Sequence, residues 1–144
     1  MVEQDTIKLL RECDAGVKMG ISSINDVLEY VDSKEFEKLL IECKDKHSIL
    51  KEEIQTLLDN YNDEGKNPNP MAQSMSWIKT NVKLIMKESD ATIADLMTEG
   101  CNMGIKSINK YLNEYKAADE KSKDIAKRLI NIEEKLVINI RGYL

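Results

Sequence analysis

The chain has 144 residues, 42% of them hydrophobic and 33% charged, with a formal net charge of −5 and a pI near 5.0. This acidic balance disfavours nucleic acid as the main partner and provides no basic face for an anionic membrane. No apolar run is long enough to span a bilayer, and the N-terminal segment lacks the charged and apolar parts of a signal peptide. The composition predicts a single helix-rich domain over residues 1–144, with enough length for one core.

The first predicted helix covers residues 5–31, with Asp5 or Thr6 as its expected N-cap. Its apolar face includes two glycines four residues apart, Gly16 and Gly20. Glycine inside a helix costs about 1 kcal/mol relative to alanine, so an inward-facing pair needs a physical reason. Close approach of two helix backbones is the expected reason, and space left for a bound group is the alternative.

The second predicted helix covers residues 33–61 and opens with a capping box formed by Asp32 and Glu35. Its apolar stripe alternates four-residue and three-residue steps, which is typical of a helix packed along its whole length. The stripe consists of Phe36, Leu40, Cys43, His47, Leu50, Ile54, Leu57 and Tyr61. Small polar residues and Gly65 predict the end of this helix.

The connection over residues 62–88 begins with Pro68 and Pro70, around which a helix is excluded. An amphipathic segment over residues 74–87 predicts a short helix that carries Trp77, Ile78 and Val82 on one side. Because an amphipathic helix without cover inside its own chain tends to mark an interface, we expect this segment to take part in a dimer.

The third predicted helix covers residues 89–115 and opens at Ser89 or Asp90. A turn is expected over residues 116–119. The last helix then runs to the end of the chain, with an apolar stripe of Ile125, Leu129, Ile132, Leu136, Ile140 and Tyr143.

An internal repeat relates the first helix to the third. Residues 16–28 read GVKMGISSINDVL and residues 100–112 read GCNMGIKSINKYL, with eight of thirteen positions identical, including Gly16/Gly100 and Gly20/Gly104. This match indicates a duplicated unit. We therefore expect one helical hairpin over about 5–61 and a second over about 89–144, joined by a crossover that runs the length of an up-down-down-up bundle.

Two duplicated hairpins joined by a long crossover resemble the ferritin-like superfamily, and more narrowly its small bacterial four-helix-bundle families of unassigned function. Diiron members of the superfamily carry a glutamate at the middle of the first and third helices and Glu-x-x-His on the other two. Here the middles of the first and third helices fall between glycines. On the second helix Lys44 precedes His47 where the motif has glutamate, and the fourth helix has Leu129 near its centre. The ligand count therefore excludes an intact diiron site.

The remaining candidates for a site are His47 and Cys43, one turn apart on the second helix. They are weak candidates for zinc ligands, because two ligands do not make a site, and a hydrogen-bonded core histidine is the simpler interpretation. The hairpin places His47 opposite Gly16 and Gly20, which would make room for its ring. All three cysteines, Cys13 among them, lie on apolar faces and predict reduced thiols in a cytoplasmic protein.

No catalytic motif or phosphate-binding loop accompanies these residues. The sequence therefore predicts a non-enzymatic bundle without a cofactor, acting as a structural or interaction module through a homodimer or another protein partner. The alternative is a protein that binds a metal or small ligand in the central region around His47.

Overall fold

The computed structural model describes residues 2–68 and 89–144, and every regular element in these two ranges is helical. The helices are α1 (Val2–Leu28), α2 (Lys34–Asp59), α3 (Ser89–Glu114) and α4 (Glu120–Ile140), followed by a short 3-10 turn (Arg141–Tyr143). They pack together as a four-helix bundle, which confirms the prediction of an all-helical protein with four packed helices. The predicted short helix at 74–87 and its proposed dimer contacts lie outside the described residues.

Side-chain caps begin the two returning helices. The Ser33 hydroxyl accepts a hydrogen bond from the Phe36 backbone N–H at 3.3 Å, and the Asp119 carboxylate accepts one from the Ser122 N–H at 2.8 Å. The cap of α2 is therefore Ser33, and the prediction of Asp32 was wrong by one residue. The predicted turn before α4 is confirmed.

The helix ends fix the direction of each helix. Asp90, at the start of α3, accepts hydrogen bonds from the N–H groups of Asp32 and Ser33 in the α1–α2 turn, at 2.9 and 3.0 Å. Helix α3 therefore begins at the end of the bundle where α1 finishes, whereas α2 finishes at the opposite end. Helices α2 and α3 run in one direction and α1 and α4 in the other, which is the up-down-down-up order.

The opposite end of the bundle carries the matching contact. Thr6 Oγ1 accepts a hydrogen bond from the Asp119 N–H at 2.8 Å, and the Asp5 carboxylate accepts one from the Ala117 N–H at 3.0 Å. Helix α1 already begins at Val2, so the prediction that Asp5 or Thr6 caps this helix was wrong. Both side chains instead hold the turn of the other hairpin.

The connection between the hairpins starts by following α1. Asp63 pairs with Arg11 at 2.8 Å, and the Lys66 N–H donates to the carboxylate of Asp14 at 3.0 Å. Asp14 is fully buried and also pairs with Lys18 at 2.7 Å. Gly65 has a positive φ of 88° where its backbone lies against this carboxylate. The buried Asp14 therefore anchors the first residues after α2 to the side of α1.

The core is divided into two apolar clusters by a layer with polar side chains. One cluster lies near the α1–α2 turn and the other near the α3–α4 turn. On each of the four helices, the buried apolar residues before the layer belong to one cluster and those after it belong to the other. We call this group the polar layer; it consists of Gly20, His47, Gly104 and Glu133.

The Asp90 contact can be tested by stability. Asp90→Ala removes the acceptor of two backbone N–H groups and should lower the free energy of unfolding by about 1–2 kcal/mol in urea melts. Asp95→Ala is the matched control, since Asp95 is an exposed aspartate of the same helix. An equal, small effect of both substitutions would show that Asp90 does not hold the α1–α2 turn.

Candidate functional site

The polar layer contains the single histidine of the chain, at the centre of α2. His47 is only 2% exposed, and its Nδ1 lies 2.8 Å from the backbone oxygen of Cys43. A carbonyl oxygen only accepts hydrogen bonds, so Nδ1 carries a proton. The other ring nitrogen, Nε2, points away from α2 and has no hydrogen-bond partner among the described residues.

A buried carboxyl group from α4 faces this nitrogen. Glu133 Oε1 lies 3.7 Å from His47 Nε2, which is an ion-pair distance but longer than a hydrogen bond, and the Glu133 side chain is only 10% exposed. Its second oxygen, Oε2, has no hydrogen-bond partner in the described part of the chain. Sequence reasoning missed Glu133. The available signal was its position four residues after Leu129 and three before Leu136, on the buried stripe of α4.

His47 and Glu133 occupy equivalent places in the two hairpins. Each is the fourteenth residue of its helix, counted from Lys34 in α2 and from Glu120 in α4. Each also faces a glycine of the repeated motif. A Cβ atom at Gly20 would lie 2.7 Å from His47 Nε2, and one at Gly104 would overlap Glu133 Oε2.

The glycines therefore accommodate polar side chains from neighbouring helices. The Cβ positions of Gly20 and Gly104 meet an imidazole and a carboxylate, and no helix backbone is among their nearest neighbours. Gly16 differs, since a Cβ there would make ordinary contact with Leu129 at 3.5 Å. Of Gly16, Gly20 and Gly104, the last two are thus the positions where a side chain would collide with its surroundings.

The two polar side chains share the low-dielectric interior. Burial raises the pKa of Glu133, although the neighbouring His47 partly opposes this effect. Burial alone lowers the pKa of His47, but its contacts with Cys43 and Glu133 raise the pKa to about 10. Both shifts favour retention of one proton between Nε2 and the carboxyl group at neutral pH, so that the pair is neutral overall.

A cavity of about 340 Å³ lies between α1 and α3, with His47 and Glu133 in its wall. Most of its surface is apolar, and the described lining residues include no lysine or arginine. The glycine faces of both helices, with the methionines beside them, form its long sides: Gly16, Met19, Gly20, Met97, Gly100, Met103 and Gly104. Exposed Ser107 lies at its rim. The repeated motif thus borders a cavity whose wall includes His47 and Glu133, each with one buried atom that has no partner in the described residues.

The cysteines do not complete a metal site. Cys43 Sγ lies 3.6 Å from His47 Nδ1, and Cys101 lines the cavity, but Cys13 belongs to the cluster near the α3–α4 turn. All three are buried free thiols, as predicted. Within residues 2–68 and 89–144, no three histidine, cysteine, aspartate or glutamate side chains converge in an arrangement that fits a metal ion.

Comparisons with protein-family models, curated proteins and solved structures found no match to this chain. Across the two described ranges, no helix combines the length and apolar character needed to cross a membrane. The cavity and its buried polar pair are therefore the features from which function can be inferred.

Alanine substitutions should distinguish the two glycines of α1. Gly20→Ala places a methyl group against the His47 ring, and this overpacking should lower the free energy of unfolding by about 1–3 kcal/mol. Gly16→Ala meets only ordinary contacts, so its helix propensity should raise stability by up to about 1 kcal/mol. Denaturant melts measure both, and a stabilising Gly20→Ala would contradict the described packing around His47.

The pKa shifts predict how stability depends on pH. The stabilising contribution from His47 is complete below its unfolded pKa of 6.5 and is lost as pH rises towards about 10. The raised pKa of Glu133 acts in the same direction, because the folded state again binds protons more tightly than the unfolded chain. The free energy of unfolding should therefore fall between pH 6.5 and about pH 8.5.

Glu133→Gln should flatten this dependence, since it removes the carboxyl group and its effect on the pKa of His47. Glu134→Gln changes the exposed neighbour and should leave the dependence unaltered. Urea melts at several pH values give the comparison. A wild-type stability that rises over this pH interval would contradict the assigned protonation of the pair.

Proposed function

We propose that this protein binds a small, mostly apolar molecule in the cavity between α1 and α3 and that it is not an enzyme. The observation that carries the proposal is the pair of buried atoms, His47 Nε2 and Glu133 Oε2, each without a hydrogen-bond partner in the described residues, beside a largely apolar cavity. Its volume of about 340 Å³ falls at the small end of the range found for ligand sites.

The energetic cost of this arrangement supports binding over simple packing. A buried donor or acceptor without a partner costs about 1–3 kcal/mol. Each glycine inside α1 or α3 costs about 1 kcal/mol more than alanine. A bundle that only had to pack would be more stable with apolar side chains at Gly20, His47, Gly104 and Glu133. A ligand that satisfies the polar atoms and covers the apolar wall would offset these costs.

The proposal includes descent from a duplicated, ferritin-like hairpin. Two correspondences support the duplication: Thr6 and Asp90, 84 residues apart in the sequence, each accept from the turn of the opposite hairpin, and His47 and Glu133 hold the same place in their helices. The site lies at mid-bundle, where diiron members of that superfamily hold metal. Homodimer formation and a protein-interaction role remain predictions.

Binding can be tested with 1-octanol as a neutral, apolar probe in titration calorimetry. We expect saturable binding to one site per chain. Ser107→Trp places a large side chain at the rim of the cavity and should weaken binding by about tenfold or more, which corresponds to about 1.4 kcal/mol.

Lys106→Trp is the matched control, because Lys106 is exposed on the same helix but does not line the cavity. It should leave the affinity for 1-octanol unchanged. Absence of saturable binding, or equal weakening by both tryptophan substitutions, would refute a ligand site in this cavity.

A further inference from the structure

We infer that the molecule bound in this cavity is a protonated amine with an apolar body, whose N–H group donates a hydrogen bond to the carboxylate of Glu133. This inference rests on the proposed binding function and names the chemical class of its ligand. It depends on the geometry of the polar pair, on the charges that face the cavity and on the apolar character of the remaining wall.

The hydrogen-bonding pattern requires a donor from the ligand. The proton on His47 Nδ1 is already donated to the Cys43 carbonyl, and Nε2 faces Glu133 Oε1. The group left for a ligand is the Glu133 carboxyl group, which lines the cavity and whose Oε2 has no partner in the described residues. A carboxylate accepts hydrogen bonds, so the complementary group carries an N–H or O–H.

The described lining of the cavity includes two carboxylates but no lysine or arginine. From α1 the cavity is lined by Glu12 and from α4 by Glu133, whereas the titratable groups that line it from α3 are the Cys101 thiol and the Tyr111 phenol, both neutral. Helix α2 contributes His47 and the Cys43 thiol. The Glu12 carboxylate pairs with Lys66, whose Nζ lies 2.5 Å from Glu12 Oε1; Lys66 is not among the described lining residues. An ammonium group beside Glu133 would form a charge-assisted hydrogen bond with its carboxylate, whereas a ligand carboxylate would face that carboxylate and find no lysine or arginine in the described lining.

The rest of the wall suits an apolar body. Glycines of both helices and several aliphatic side chains line the cavity, and its described lining includes three methionines, among them half-exposed Met103. Methionine side chains adapt their shape to irregular apolar ligands. His47 and Glu133 thus face a wall that is mostly apolar, which suits a ligand with one polar group at the end of an apolar body.

Three probes with the same chain and different head groups test this inference: octylamine, 1-octanol and octanoate at neutral pH. Calorimetry on the full chain should give the tightest binding for octylamine and the weakest for octanoate. Glu133→Gln keeps the shape of the side chain and removes its charge, so it should weaken octylamine binding by about tenfold or more while changing 1-octanol affinity far less. Glu134→Gln is the control for an exposed charge on the same helix. Circular dichroism verifies that both variants are folded.

The outcomes separate the ligand class from the binding function. Octylamine preference that disappears in Glu133→Gln and persists in Glu134→Gln supports the amine ligand. Octanoate binding as tightly as octylamine, or equal affinities of all probes for wild type and Glu133→Gln, overturns the amine ligand and leaves the cavity as a binding site. If none of the three probes binds, the proposed function fails as well.

Discussion

The contact between His47 and Glu133 is the constraint around which the bundle centre is arranged. Two ionisable side chains lie within 3.7 Å of each other in a low-dielectric interior, where an isolated charge would be strongly destabilising. They are tolerated because they neutralise each other. They also occupy the space that side chains at Gly20 and Gly104 would need. Gly20, Gly104 and the polar pair are therefore one structural feature, and the apolar core divides into two clusters on either side of it.

Local sequence signals predicted most of the fold. The apolar stripes and the polar breaks located all four helices. Most of the predicted helix ends lie within three residues of the observed ones, since hydrophobic periodicity reports burial directly. The cap at the start of α1 was predicted wrongly for a physical reason. Asp5 and Thr6 have the residue types of an N-cap, but their acceptors serve backbone N–H groups more than 100 residues away. Sequence spacing does not distinguish a local acceptor from one that holds a distant turn.

The site was predicted only in part. Periodicity placed His47 opposite the glycines, and in the structure its ring lies against Gly20. Glu133 was missed because the apolar residues of α4 form a continuous stripe on their own, so the pattern did not require a charged residue on the buried face. Buried Asp14 on α1 was missed in the same way, although it anchors the start of the crossover. Why glycine occupies these positions depends on which side chains of the other helices lie beside them. Tertiary packing decides this, and the local sequence does not report it.

The most direct test of a ligand site at the polar pair is the imidazole NMR signal of the single histidine. In protein with ¹⁵N-labelled histidine, the account predicts that octylamine shifts the Nε2 resonance of His47 in a saturable manner, because a donor at Glu133 changes the charge that this nitrogen faces. The Nδ1 resonance should remain that of a protonated nitrogen bonded to the Cys43 carbonyl. Unchanged His47 resonances at a probe concentration that saturates binding in calorimetry would show that the molecule binds elsewhere, and would contradict the account.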